Sequence, residues 1–200
     1  MTRILQLNTS IHGDNGASST LADNFVHQWQ DRHGKSAVIR RDFSKSPIPH
    51  LDADTFSAAI SPVGTRSRNQ QTSAALADTL IQELLGADVL VIGLPMYNFG
   101  VPSSLKAWFD HVARAGTTFR YTADGPVPLL TNKRAYVFAT RGGWYAGTER
   151  DTQAAYVKQF LSFLGIDNIE FVYAEGLSIS EENRRTAVES ATAHLAKLAA

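Results

Sequence analysis

Five short runs rich in apolar and β-branched residues, Arg3 to Thr9, Ala37 to Asp42, Asp88 to Leu94, Arg134 to Thr140 and Ile169 to Ala174, are separated by stretches with helical patterning. Parallel strands need long crossovers, and a helix fills each crossover most economically, so this alternation directs the chain to an α/β fold. Leu21, Ala22, Phe25, Val26 and Trp29 recur at helical spacing between the first two runs, as do Ala77, Leu80, Ile81, Leu84 and Leu85 between the second and third. Further on, Ala155, Tyr156, Gln159, Phe160, Phe163 and Leu164 predict a mostly apolar helix, and Val188, Ala191, Leu195 and Leu198 stripe the last one. The expected architecture is a doubly wound, five-stranded parallel sheet of order 2-1-3-4-5 with helices on both faces.

Two stretches interrupt this rhythm. The prolines of Ser44 to Asp52 exclude helix and central strand, so that stretch is a surface excursion leading into a helix capped near Asp52. Gly116 to Thr122 reads as a glycine break followed by an extended segment. No repeat or low-complexity linker divides the 200 residues, which predicts one domain over residues 1–200. The formal net charge of zero argues against nucleic acid and against an anionic membrane surface, leaving a small-molecule partner. The absence of cysteine excludes disulfides, thiolate metal sites and a cysteine nucleophile. Met1 leads directly into a strand pattern, and no apolar run reaches the roughly 18 residues of a membrane span, so a cytoplasmic location is expected.

Three loops follow the carboxyl ends of the first, third and fourth strands, which are neighbours in the expected order and meet at the switch point where open sheets bind ligands. The first, Ser10 to Ser18, joins strand to helix and offers hydroxyls beside free amides, a place for a phosphate. Read by itself, Ser18 serves equally well as a plain helix N-cap. No Lys or Arg occurs from Ile4 to Asp31, which argues against a Walker loop, and no G-x-G-x-x-G follows the first strand. The second loop, Met96-Tyr97-Asn98-Phe99-Gly100, combines rings, an amide and a thioether, a lining suited to a flat heteroaromatic cofactor such as a flavin. In the third, Thr140-Arg141-Gly142-Gly143-Trp144-Tyr145, paired glycines allow close backbone approach to a planar ligand, or simply make a tight turn.

With these residues in place the chain resembles the FMN-dependent NADH-azoreductases of the flavodoxin-like quinone reductase superfamily. The likeness runs nearly end to end, through Pro47-Ile48-Pro49, Pro95-Met96-Tyr97-Asn98-Phe99, Val112-Ala113-Arg114-Ala115-Gly116, Thr118 to Thr122, Arg141-Gly142-Gly143, Phe163-Leu164-Gly165-Ile166 and Ala174-Glu175-Gly176. The resemblance implies a flavodoxin-like fold and a tightly bound FMN. Ser10, Gly16, Ala17 and Ser18 would hold its phosphate; Met96, Tyr97, Asn98 and Phe99 would flank its ring; Thr140, Arg141, Gly142 and Gly143 would meet its pyrimidine edge. It also implies a homodimer in which Phe99 of one chain faces Tyr121 and Phe163 of the other. Many members carry a second hydroxyl where this chain has Gly16 and Ala17, which shifts the phosphate toward backbone amides. The family varies after Gly143, so the bulky Trp144 and Tyr145 reshape the pocket mouth and, with Phe99, Tyr121 and Phe163, make up the expected substrate-binding residues.

The implied reaction is two-electron, ping-pong reduction of small aromatic acceptors, quinones and azo compounds, with NADH as donor. The flavin carries the chemistry, so no catalytic side chain is assigned; Tyr145 and His12 are the candidates for assisting protonation. The six histidines show no metal-ligand spacing and are expected mostly at the surface. A flavodoxin-like electron carrier without a substrate pocket is the rival reading; such carriers are usually strongly acidic, and this chain is neutral.

Overall fold

The computed structural model describes residues 1–199. Its main sheet contains β1 (Arg3–Asn8), β2 (Ala37–Asp42), β3 (Val89–Pro95), β6 (Arg134–Thr140) and β7 (Asn168–Ala174). All neighbours pair in parallel, in the order β2-β1-β3-β6-β7. Counting only the sheet strands, this is the expected order 2-1-3-4-5. The strands lie within a residue or so of their sequence-predicted bounds, because each is an apolar run ended by a turn former.

Alternation along the strands builds two cores. Ile4, Val89, Val91, Tyr136 and Phe138 pack with α1 (Ala17–His33) and α6 (Glu181–Leu198). Leu5, Leu7, Leu90, Ile92 and Val137 pack with α3 (Arg68–Gly86), α4 (Ser103–Val112) and α5 (Thr152–Leu164). Every residue of β3 is buried, as its unbroken apolar run requires. Asp52 caps α2 (Ala53–Ile60) by accepting a hydrogen bond from Thr55 N–H at 2.7 Å. No helix among the described residues is long and apolar enough to cross a membrane.

Two details depart from the sequence expectation, while the histidines lie mostly at the surface as expected. The extended segment near Gly116 becomes a hairpin, β4 (Phe119–Thr122) paired antiparallel with β5 (Gly125–Pro128), whose second strand was hidden by its prolines. The buried stripe of α5 is Ala154, Val157, Leu161 and Leu164, while Ala155 and Gln159 are exposed and Tyr156, Phe160 and Phe163 stand half-buried along its margin. His111 is buried, with Nε2 3.0 Å from Pro49 O; the other five histidines are exposed.

Gly93 fixes how closely α1 approaches the sheet. A Cβ built there would lie 2.9 Å from the Ser18 carbonyl oxygen, so the first turn of α1 rests directly on β3. Gly93→Ala forces apart two backbone segments, an overpacking cost of about 1–3 kcal/mol. Urea unfolding is expected to show a lowered midpoint with an unchanged slope; wild-type stability would mean that α1 shifts without cost.

Candidate functional site

A cleft of about 390 Å³ opens at the carboxyl ends of β1, β3 and β6. Its walls come from all three loops singled out above, with Ser10, Gly16, Ala17 and Ser18 from the first, Met96 and Tyr97 from the second, and Thr140, Arg141 and Gly142 from the third. Asn98, Phe99 and Gly143 are not among its lining residues. A second groove of about 400 Å³, lined by Asp23, His27 and Arg40, runs along α1 and β2; of the three loops it meets only Asp14 of the first.

The first loop ends in an open helix terminus. Gly16 is the N-cap of α1 and has no side chain to cap it; the first turn carries no acidic residue. The first intrahelical bond runs from Thr20 N–H to Gly16 O at 2.9 Å, so the amides of Ala17, Ser18 and Ser19 precede it and face outward. Ser18 is fully buried, yet its Oγ has no hydrogen-bond partner among the described residues. The plain N-cap reading of Ser18 is thereby corrected: the cap position belongs to Gly16, two residues earlier. A dipole end with free amides and an orphaned hydroxyl is an anion site in waiting. A Cβ on Gly16 would fall 2.3 Å from Ser10 Oγ, so glycine is what lets the turn close on Ser10. Asp14 pins the loop to β2, accepting from Arg40 Nη2 (2.5 Å) and Lys45 Nζ (2.6 Å); these hydrogen bonds, Lys45 foremost, hold its carboxyl down at about 2.

The second loop is a tight, strained turn. Tyr97 and Gly100 exchange backbone hydrogen bonds of 3.2 and 3.0 Å around Asn98 and Phe99, whose φ angles are +49° and +66°. Positive φ at both central positions suits asparagine and glycine, whereas a phenylalanine there is strained by about 1–3 kcal/mol. The first turn of α5 holds it: Thr152 Oγ1 donates to Phe99 O at 2.8 Å, and buried Gln153 Nε2 donates to Pro95 O and Gly100 O, each at 2.9 Å. The Tyr97 hydroxyl accepts from Ile11 N–H at 3.2 Å and lies 3.4 Å from Ser10 Oγ, tying this loop to the first.

The third loop is organised from beneath. The Arg141 guanidinium is fully buried, forms a two-point contact with Asp151 (2.7 and 2.9 Å), meets Glu175 at 3.1 Å and lies 4.9 Å from the centre of the Tyr173 ring. Glu175 Oε1 also accepts from the amides of Tyr145 (2.8 Å) and Ala146 (2.9 Å). Both terminal nitrogens of Arg141 are therefore committed to the protein, and only its buried Nε has no partner among the described residues. Asp151 and Glu175 carried no signal of this role in sequence, since their partner is 10 and 34 residues away. Trp144 lies against Gly176, where a Cβ would come within 2.9 Å of its indole, and remains 61% exposed. The Tyr145 ring meets Phe99 edge-on at 5.8 Å. Tyr121, 73% exposed on the hairpin, contacts Phe119, which also packs on Phe163 at 4.5 Å; this group stands apart from the cleft lining. Sequence reading also missed Leu177 and Ser178 in the β7–α6 connection and Arg184 in the first turn of α6, which close the cleft.

Gln153→Leu leaves two loop carbonyls without their donor, a cost of about 1–3 kcal/mol for a buried group. The variant is expected to melt lower and to lose hydrogen-exchange protection selectively around Tyr97 to Gly100. Unchanged protection there would show that the turn holds itself.

The comparisons with known proteins agree with this geometry. A family model described as having a flavodoxin-like fold matches residues 2–199. An FMN-dependent NADH:quinone oxidoreductase of Cellvibrio japonicus is 47% identical over 184 residues, covering 92% of each chain. An FMN-dependent NADH:quinone oxidoreductase 2 of Pseudomonas fluorescens is 44% identical over 199 residues, covering 100% of both. The solved azoreductase of Bacillus anthracis superimposes with a TM-score of 0.89 at 26% identity, covering 100% of this chain and 99% of that one. Matched over nearly its whole length, the chain belongs to the flavodoxin-like family and, within it, to the FMN-dependent NADH:quinone oxidoreductases.

Proposed function

We propose that the chain is an FMN-dependent oxidoreductase that takes electrons from NADH and reduces quinones and azo compounds in turn at one cleft. We read it as a single, doubly wound domain working as a homodimer. The observation that carries this reading is the uncapped N-terminus of α1 with the orphaned Ser18 hydroxyl at the end of a cleft otherwise lined by a ring-bearing loop and a glycine loop. Those residues fit FMN: one anion site for one phosphate, a slot beside Met96 and Tyr97 for a flat ring, and bare backbone at Gly142 for its polar edge. When bound, FMN supplies two-electron hydride chemistry that side chains of this chain lack.

The protein's own part is positional. Ser10, Gly16, Ala17 and Ser18 hold the phosphate; Met96, Tyr97, Asn98 and Phe99 set one side of the ring; Thr140, Arg141, Gly142 and Gly143 meet its edge through backbone groups. Phe99 projects beyond the cleft at 57% exposure and, with Trp144 and Tyr145, shapes the entrance through which donor and acceptor pass. A donor and an acceptor that both stack on one ring face exclude each other, which makes the kinetics ping-pong.

Cofactor released by heat is expected to run as FMN on chromatography, and initial rates against NADH at several quinone concentrations to give parallel double-reciprocal lines. Recovery of FAD would overturn the cofactor assignment, and intersecting lines would overturn the shared cleft.

The dimer reading rests on unpartnered aromatic surface. Tyr121 is 73% exposed, and Tyr156, Phe160 and Phe163 flank α5 half-buried, a surface that a second copy's cleft entrance would cover. If Phe99 of one chain and Phe163 of another share a site, mixing Phe99→Ala and Phe163→Ala subunits gives dimers with one doubly altered and one intact site. Activity should then partly recover on subunit exchange. No recovery despite demonstrated exchange would mean that each chain builds its site alone.

A further inference from the structure

We infer that Arg184 is the phosphate-recognising cation of the cofactor site, supplying the positive charge that the first loop lacks. The inference rests on the reading that the cleft holds FMN. An FMN phosphate is a dianion near neutral pH, and the segment that would receive it has no Lys or Arg from Ile4 to Asp31. Free amides and the hydroxyl of Ser18 hydrogen-bond a dianion without balancing its charge. The other guanidinium lining the cleft, Arg141, is fully buried and already faces Asp151 and Glu175.

The fold brings a second cation to this place. Both α1 and α6 follow parallel strands of one sheet, so their N-termini lie at the same edge. Two contacts fix them side by side. Leu21, Phe25 and Trp29 share a core with Ala191 and Leu195, and at the far ends Arg32 Nη1 donates to Ala196 O at 2.7 Å. Arg184 is in the first turn of α6, where its amide donates to Ser180 O at 2.9 Å, and it lines the same cleft as Gly16, Ala17 and Ser18. Its side chain is exposed and forms no hydrogen bond or ion pair among the described residues, so the guanidinium is available to a ligand. Ser180 already caps α6 by accepting from Asn183 N–H at 3.1 Å, and Glu181 and Glu182 occupy that first turn. The α6 terminus thus carries a side-chain cap and two acidic residues, whereas that of α1 has neither, so the open anion site is that of α1, with Arg184 as its neighbouring charge. A planar guanidinium matches two phosphate oxygens at once, so it adds orientation as well as charge.

Apoprotein prepared by removing FMN is titrated with FMN and with riboflavin, which share the ring and ribityl chain and differ in the phosphate, at several salt concentrations. Arg184→Gln is expected to weaken FMN about tenfold, the scale of one charge-assisted hydrogen bond, to leave riboflavin unchanged, and to flatten the salt dependence of FMN binding. Arg184→Lys should restore the salt dependence and part of the affinity, since it returns the charge without the planar fork. Ser18→Ala should also weaken FMN but keep the wild-type salt dependence, separating an uncharged donor from a charge. An equal effect of Arg184→Gln on both flavins, or none on either, would overturn the inference. So would unchanged FMN binding with a raised KM for NADH, which would assign Arg184 to the donor's pyrophosphate. Wild-type apoprotein that binds neither flavin would overturn the cofactor reading and this inference together.

Discussion

The buried guanidinium of Arg141 is the constraint on which the cleft depends. It lies just past the end of β6 and ties together the end of β7 through Glu175 and the start of α5 through Asp151. A lone cation there would be prohibitively costly to bury; two carboxylates and the Tyr173 ring make the position tenable. The arrangement has a geometric consequence. Asp151 is also the N-cap of α5, accepting from Ala154 N–H at 3.0 Å, so the pair that seats the third loop orients the helix whose next two residues clamp the second. Two of the three walls of the cleft are thus set by one tripeptide, Asp151-Thr152-Gln153.

This explains how a strained turn persists. Asn98 and Phe99 hold a backbone shape that suits glycine, and nothing local rewards phenylalanine there. The hydrogen bonds from Thr152 and Gln153 over-determine the turn from outside. The Phe99 ring is left projecting, edge-on to Tyr145, at the mouth of the cleft. Loop 1 is held differently, by Asp14 and its cations on one side and the Tyr97 hydroxyl on the other. The amides of Ala17, Ser18 and Ser19 precede the first intrahelical bond, from Thr20 N–H to Gly16 O.

What the sequence discloses follows from the range of the interactions involved. The strands and their order were legible because apolar runs and turn formers are local signals, and parallel topology narrows their arrangement. Placing three loops along one edge followed from that order alone. Side-chain roles were less legible. Ser18 beside a helix start reads as a cap until the backbone shows the helix beginning at Ala17. The sequence places Arg141 in a glycine loop at the cleft, but its distant partners Asp151 and Glu175 cannot be read from that local pattern. The β5 strand is hidden in sequence because Pro126 and Pro128 tolerate only an isolated hairpin edge, and the inward stripe of α5 is hidden because the larger aromatics lie at its margin while smaller residues face the sheet.

Arg184 belongs to the same class of hidden feature, and it shows why charge in this fold is read better from topology than from motif. Phosphate-binding motifs concentrate charge and backbone in one segment, so a loop without Lys or Arg looks neutral. A parallel sheet with helices returning to the same edge separates the two functions. One helix terminus presents amides, and another, some 165 residues later in a 200-residue chain, presents the cation. The two meet because every β-to-α connection of the sheet opens at its carboxyl edge, which makes that edge the one place where groups distant in sequence converge on a ligand.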